Sequence, residues 1–341
     1  MKAMVLERFG ERLQLKHVPV PEIGPDEALV KVAACGLCGT DLEIQEGKIE
    51  GLPVPKIMGH EPGGVVEAVG SNVTNLRVGD HVAVSLYVTC GTCEFCRTNR
   101  SSICPNLVGR PGFELPGGFA EYLKMPAENL FPIDPSVPLE QVALLADGVG
   151  TSWHAVRRQA KVLPGQTAVV IGAGGGLGVH ATQAVRLSGA RTIAVDLGPE
   201  KIALARRWGA DVALDRRETD VRSEILALTD GLGADAVLDF VGKPDTVREG
   251  LEMLKRGGTL TVVGLAPGED LQIDSVALVL SEKVVMGSRV SSKQDMVDVV
   301  RLVEEEKITP VVGARFSLED VNQALEALRA GEIMGKGVVL L

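Results

Sequence analysis

Val169-Val170-Ile171-Gly172-Ala173-Gly174-Gly175-Gly176-Leu177-Gly178 is the stretch that decides the fold. Its first three residues read as a buried strand, and the pattern after the glycines reads as a helix. Glycines in such a turn let the backbone approach a pyrophosphate, and the helix N-terminus offers free N–H groups and a positive dipole end. The register is irregular. Counted back from Gly178, the six-residue fingerprint is Ala173-x-Gly175-x-x-Gly178, so either its first glycine is alanine or the turn holds one extra residue. Asp196 closes the next strand, 18 residues after Gly178. A carboxylate there accepts hydrogen bonds from ribose hydroxyls and repels a 2′-phosphate, which favours NAD over NADP. The expected contacts are Gly172, Gly174, Gly175, Gly176, Leu177, Gly178 and Asp196, with Lys201, Gly264 and Leu265 assigned to the same site.

Around this stretch, apolar runs at 167–172, 191–195, 211–214, 235–240, 258–264 and 283–287 alternate with helical patterns near 176–188, 199–208, 218–229 and 244–255. Strands alternating with crossover helices predict a doubly wound α/β Rossmann domain over 151–289. Upstream, the texture is different. Short valine-rich runs such as Ala28-Leu29-Val30-Lys31-Val32 are broken by Gly, Pro and Asp, as in β-strands joined by turns. Residues 1–150 are therefore a first domain. The tail predicts a helix at 293–306, a strand at 315–318, a helix at 319–330 and a strand at 337–341; with a six-stranded sheet already complete, 290–341 is expected to return to the first domain.

A chain of 341 residues exceeds one typical core, which agrees with two domains. Its net charge of −10 argues against nucleic-acid binding, which needs a basic surface. No apolar run reaches the roughly 18 residues of a membrane span, and the N-terminus lacks a signal-peptide pattern, so the expected compartment is the cytoplasm.

Four of the six cysteines fall within 15 residues, as Cys90-x2-Cys93-x2-Cys96-x7-Cys104. Four thiolates in a tetrahedral array make a closed, structural zinc site. An iron–sulfur cluster and disulfides are the rivals. The spacing before Cys104-Pro105 is longer than that of a bacterial ferredoxin run, and disulfides are rare in a reducing compartment.

A second metal hint is Gly59-His60-Glu61, placed 22 residues after Cys38. A thiolate and an imidazole in glycine-rich turns suit a zinc ion with an open position. Cys35-x-x-Cys38 lacks a thioredoxin context, so Cys35 is read as a buried free thiol. Asp147, after the apolar Leu144-Leu145-Ala146, is a candidate third ligand; the plain alternative is a helix N-cap. His17, His81, His154 and His180 are read as surface or packing residues, and Trp153 and Trp208 as core.

In order along the chain come Cys35–Asp41, Gly59-His60-Glu61-x2-Gly64 running to Gly70, Val78-Gly79-Asp80-His81-Val82, the cysteine lobe and the glycine turn. Together they resemble the zinc-dependent medium-chain alcohol dehydrogenase family over essentially the whole chain. The resemblance implies a GroES-like, mainly-β catalytic domain beside the Rossmann domain. It implies Cys38, His60 and Asp147 as catalytic zinc ligands, with Asp41 orienting His60 and Glu61 able to approach the metal during ligand exchange. Thr40 matches the hydroxyl that passes the substrate proton onward. The family often has histidine where this chain has Glu43, so either Glu43 ends the relay or water does. Thr151 is implied at the nicotinamide and Lys336 at the pyrophosphate.

The expected activity is reversible hydride transfer between an alcohol and NAD, giving an aldehyde or ketone, with two zinc ions per chain. The alternatives are a polyol or amino-alcohol substrate, or a zinc-free-type quinone or activated-alkene reductase of the same superfamily. A non-enzymatic zinc scaffold is the reading from another class. The resemblance also implies a homo-oligomer, dimer or tetramer, joined at the cofactor-domain sheet edge near 283–290.

Overall fold

A computed structural model describes residues 1–341. The chain opens with the antiparallel pair β1 (Lys2–Leu6) and β2 (Gln14–His17). There follow β3 (Glu27–Gly36), β4 (Lys56–Ile57), β5 (Glu61–Val69), β6 (His81–Val84), β7 (Tyr122–Pro126) and β8 (Leu130–Ile133). In β3, Ala28, Val30 and Val32 are buried while Lys31 is exposed, the period of two that lets one face build a core. That face packs with Val66, Val82, Val84, Leu123 and Leu130.

The second unit, Thr151–Val290, holds β9 (Thr167–Ile171), β10 (Arg191–Asp196), β11 (Val212–Asp215), β12 (Ala234–Asp239), β13 (Leu254–Val262) and β14 (Val284–Gly287). They form one parallel sheet in the order β11-β10-β9-β12-β13-β14, the doubly wound arrangement. Ala168, Val169 and Val170 of central β9 are all fully buried, as a strand covered on both faces requires. Two elements differ from the sequence expectation. β13 starts at Leu254, where the helical pattern was expected to continue, because Leu254 pairs with Ala234 ahead of a register shift. A short helix, Ser275–Leu280, capped by Asp274, was not anticipated.

Met1–Gly150 and Ser291–Leu341 make up the other unit. The tail adds β15 (Val312–Ser317) and β16 (Lys336–Leu340), which pair in parallel, and β16 runs antiparallel to β3. The resulting seven-stranded sheet has the order β15-β16-β3-β5-β6-β8, with β7 also on β3; a separate three-stranded sheet has the order β2-β1-β4. The pairing of Val339 with Cys35 brings the start of β16 beside the end of β3. No helix is long and apolar enough to cross a membrane. Trp153 and Trp208, read as core, are only half-buried.

Candidate metal and dinucleotide sites

Cys38 sits at the N-cap of the helix Gly39–Gln45 with an extended backbone. Its N–H donates to Asp41 Oδ2 at 3.0 Å, an N-terminal capping arrangement that fixes the turn. The other oxygen, Oδ1, lies 3.1 Å from His60 Nδ1. One fully buried carboxylate thus holds both residues, and it leaves His60 Nε2 free to face the cluster. Gly59 delivers His60 at φ +90, and a Cβ there would meet Phe119 at 2.6 Å, so only glycine fits. Phe113 packs edge-on to the His60 ring at 5.3 Å.

Glu61 opens β5 and points into the space left by Gly36, where a Cβ would stand 2.7 Å from Glu61 Oε2. Asp147 lies in a π-helical turn, Leu145–Val149, rather than at a helix N-cap. The ligand atoms of Cys38, His60, Glu61 and Asp147 all lie within 4.8 Å of one another. Sulfur, nitrogen and carboxylate donors in that combination suit zinc. Glu61 is fully buried and brings a carboxylate to this cluster.

The structure corrects the placement of Lys336. Expected at a pyrophosphate, it is 2% exposed, with its ammonium 2.6 Å from Glu61 Oε1 and 3.1 Å from Asp147 Oδ2. The hydrogen bond from Leu37 N–H to the Gly337 carbonyl ties this end of β16 to the Cys38 turn. Burial opposes a charged Lys336, but Cys38, Glu61 and Asp147 outweigh it and hold its pKa well above the ordinary lysine value. Burial pushes Glu61 up to about 8, against the pull of Lys336. Burial likewise disfavours a charged His60, yet Asp41 and Cys38 raise its pKa. Cys35 is fully buried, and burial drives its thiol upward.

Thr40 Oγ1 is 3.7 Å from Cys38 Sγ. Glu43 is outside the donor cluster; its Oε2 is buried without a hydrogen bond, 3.6 Å from the Lys48 ammonium.

The cysteine lobe forms a second cluster, with the sulfurs of Cys90, Cys93, Cys96 and Cys104 within 4.8 Å of one another. Cys104 Sγ lies 3.6 Å from Cys90 and 3.7 Å from Cys93, and all four thiols are free. A zinc–sulfur bond of about 2.3 Å gives a tetrahedral edge of about 3.8 Å, so these sulfurs already stand at ligand spacing. Backbone N–H groups of Thr92 and Cys93 lower the Cys90 thiol to about 5.

In the second unit, Gly172 follows β9 at φ +80, and Gly178 starts the helix Gly178–Leu187. A Cβ on Gly178 would stand 2.1 Å from the Gly172 carbonyl oxygen, so these two glycines are the ends of the turn. The turn therefore holds one residue more than the six-residue fingerprint. Gly174 N–H donates to Asp196 Oδ2 at 2.7 Å, and Lys201 Nζ is 4.0 Å from Asp196 Oδ1. Gly175, Gly176 and Leu177 complete the turn. Gly264 abuts Val241 and Gly242, whereas Leu265 is 67% exposed. Thr151 is buried at the start of the unit. His154 and His180 are buried and hydrogen-bonded, to Gln159 and to the Gly176 carbonyl, and belong to neither donor cluster.

The chain is similar to known proteins over its whole length. The "Alcohol dehydrogenase GroES-like domain" family matches residues 24–135, and the "Zinc-binding dehydrogenase" family matches residues 176–305. An alcohol dehydrogenase of Geobacillus stearothermophilus is 35% identical, covering 100% of this chain and 99% of its own. A NAD-dependent alcohol dehydrogenase of Sulfurisphaera tokodaii is 34% identical, covering 100% of each. The crystal structure of the alcohol dehydrogenase from the archaeon Aeropyrum pernix superposes with a TM-score of 0.92 at 32% identity, over 100% of both chains.

Proposed function

The chain belongs to the zinc-dependent medium-chain alcohol dehydrogenase family, and from that premise we propose that it interconverts a small alcohol and its aldehyde or ketone with NAD. The observation that carries the reading is the cluster of half-buried Cys38 with buried His60, Glu61 and Asp147, and Asp41 behind it. When bound, zinc supplies Lewis acidity to the substrate oxygen, and NAD supplies the hydride acceptor.

The protein's own residues do the rest. Cys38, His60 and Asp147 hold the metal, and Asp41 fixes the His60 tautomer through Nδ1. Ionised Cys38 and Asp147 would balance the charge of a bound zinc, and the Lys336 ammonium beside Asp147 adds a positive charge that favours a substrate anion. Glu61 stands by as an exchange partner, held at 2.6 Å by Lys336. Thr40 takes the substrate proton at its hydroxyl oxygen, and Glu43 or water carries it onward. The glycine turn Gly172–Gly178 receives the pyrophosphate on backbone N–H groups. Asp196 accepts from the ribose hydroxyls, which favours NAD over NADP. Lys201, Gly264, Leu265 and Thr151 complete the cofactor contacts. The Cys90, Cys93, Cys96 and Cys104 lobe takes a second, structural zinc.

The chain acts as a homo-oligomer in this reading. β14 ends the six-stranded sheet, and in the helix just before it in the chain Val276, Val279 and Leu280 are 62%, 71% and 69% exposed. An open strand edge and exposed apolar side chains suit a second copy. The clustered donor set weighs against the zinc-free reductase alternative.

Metal analysis joined to a screen of alcohols, aldehydes and ketones with NAD(H) and NADP(H) tests the proposal. About two zinc ions per chain and NAD-linked turnover are expected. Full activity in Cys38→Ala with a single zinc per chain overturns the catalytic role of the metal.

A further inference from the structure

Lys56 is a buried lysine that the proposed reaction does not use. It occupies β4, where it pairs with Leu6 of β1, and it is 7% exposed. Its ammonium donates to the Phe113 carbonyl and forms no ion pair with a carboxylate. It lines a cavity of about 350 Å³, within the size range of small-molecule sites.

The cavity is largely apolar, with Val5, Val18, Ile57, Leu115 and three prolines in its wall. Two carboxylates also line it, but each is engaged elsewhere. Glu7 pairs with Lys16 at 2.5 Å, and Glu114 takes two hydrogen bonds from the Arg110 guanidinium, at 2.5 and 3.0 Å. Lys56 is therefore the cation in this wall that lacks an anionic partner. A buried ammonium with one carbonyl partner retains two donor protons and has no contact ion pair, and an anion seated beside it supplies both. Burial lowers its pKa to about 8, opposed by the Glu114 and Asp41 carboxylates and helped by Arg110. At neutral pH the group still carries its proton.

We propose that this cavity binds a short-chain monocarboxylate, with the carboxylate on Lys56 and the aliphatic tail against Val5, Val18 and Ile57. The nearby Glu7 and Glu114 limit the site to a single negative charge and disfavour a dianion such as phosphate. The apolar wall requires a tail. The site is separate from the metal cluster but adjoins it, because Phe113 accepts from Lys56 and packs on His60.

The test uses the zinc-loaded protein and butyrate as the probe. Amine acetylation at pH 8, mapped by mass spectrometry, reads the reactivity of Lys56 alone and with butyrate, butanol or inorganic phosphate. Butyrate is expected to slow modification of Lys56 severalfold, while butanol and phosphate leave it unchanged. Absence of butyrate protection, or equal protection by phosphate, overturns the proposal. So does a Lys56 that stays unreactive under every condition, since a second copy or the protein itself then covers it. In calorimetric titration, Lys56→Met is expected to weaken butyrate binding at least about tenfold, the size of one charge-assisted hydrogen bond. Undiminished binding in that variant places the carboxylate elsewhere, such as the metal centre, and also overturns the assignment.

Discussion

Replacing Lys336 with methionine removes the cation from a buried cluster and leaves its carboxylates behind. Lys336 lies 2.6 Å from Glu61 and 3.1 Å from Asp147, and all three residues are buried. Removing one partner of a buried pair costs about 3–5 kcal/mol, because the remaining charge is uncompensated. Proton uptake limits that cost. Glu61 has an ordinary value of 4.5, and burial raises it to about 8 even beside Lys336. At pH 7 much of Glu61 is already neutral, so the loss there is about 2–3 kcal/mol, mainly through Asp147. Without Lys336 the folded pKa of Glu61 climbs further. Above pH 8 the wild type then releases a proton that the variant retains, while the unfolded chains behave alike. Stability falls with pH wherever the folded state binds more protons, so the deficit of Lys336→Met widens as pH rises through 8. The assay is thermal unfolding of metal-free protein at pH 6.5 and pH 9. A loss of about 2–3 kcal/mol corresponds to a drop of about 4–12 °C for a domain of this size. Zinc should restore part of it by supplying positive charge to the same carboxylates. Unchanged metal-free stability, or a deficit that narrows with rising pH, refutes the reasoning.

Asp41→Asn weakens the grip on both Cys38 and His60, and about 10–100-fold lower zinc affinity at the catalytic site is expected in chelator competition. Gly178→Ala drives a Cβ to 2.1 Å from the Gly172 carbonyl oxygen, so fluorescence titration should show loss of NADH binding while the cysteine lobe keeps its zinc. Val279→Asp places charge on the exposed face of the helix just before β14, and light scattering should report a smaller assembly than wild type; an unchanged mass places the interface elsewhere.

The second unit was the most legible part of the chain. Its central strands are buried on both faces and read as unbroken apolar runs, so their positions emerge from sequence within a few residues. The start of β13 was obscured by Arg256-Gly257-Gly258, which signals a turn, whereas the chain is already paired from Leu254. The helix Ser275–Leu280 was invisible because six mostly apolar residues carry no amphipathic period, and none of them is buried. Lys336 was misplaced for a different reason. Its partner Asp147 is 189 residues away in sequence, and only the folded chain brings the two together. Local pattern carries no such information. The same holds for Gly36, whose missing side chain makes room for Glu61.

The two clusters differ in what holds them together before any metal arrives. Around Cys38 the structure supplies its own support: Asp41 ties two residues, Lys336 balances two carboxylates, and β3, β5 and β16 build the frame. The cysteine lobe has no comparable substitute. Between residues 90 and 104, Cys104 is the sole buried hydrophobic residue, so the segment lacks an apolar core of its own. A metal held by its four sulfurs would take the place of that core, and its binding energy would become the local folding energy. Stripping zinc with a chelator should therefore leave both units folded by circular dichroism yet open residues 90–104 to limited proteolysis. Equal protease resistance with and without metal would show that Ser101, hydrogen-bonded to the Lys293 backbone, and the neighbouring loops suffice to hold the lobe.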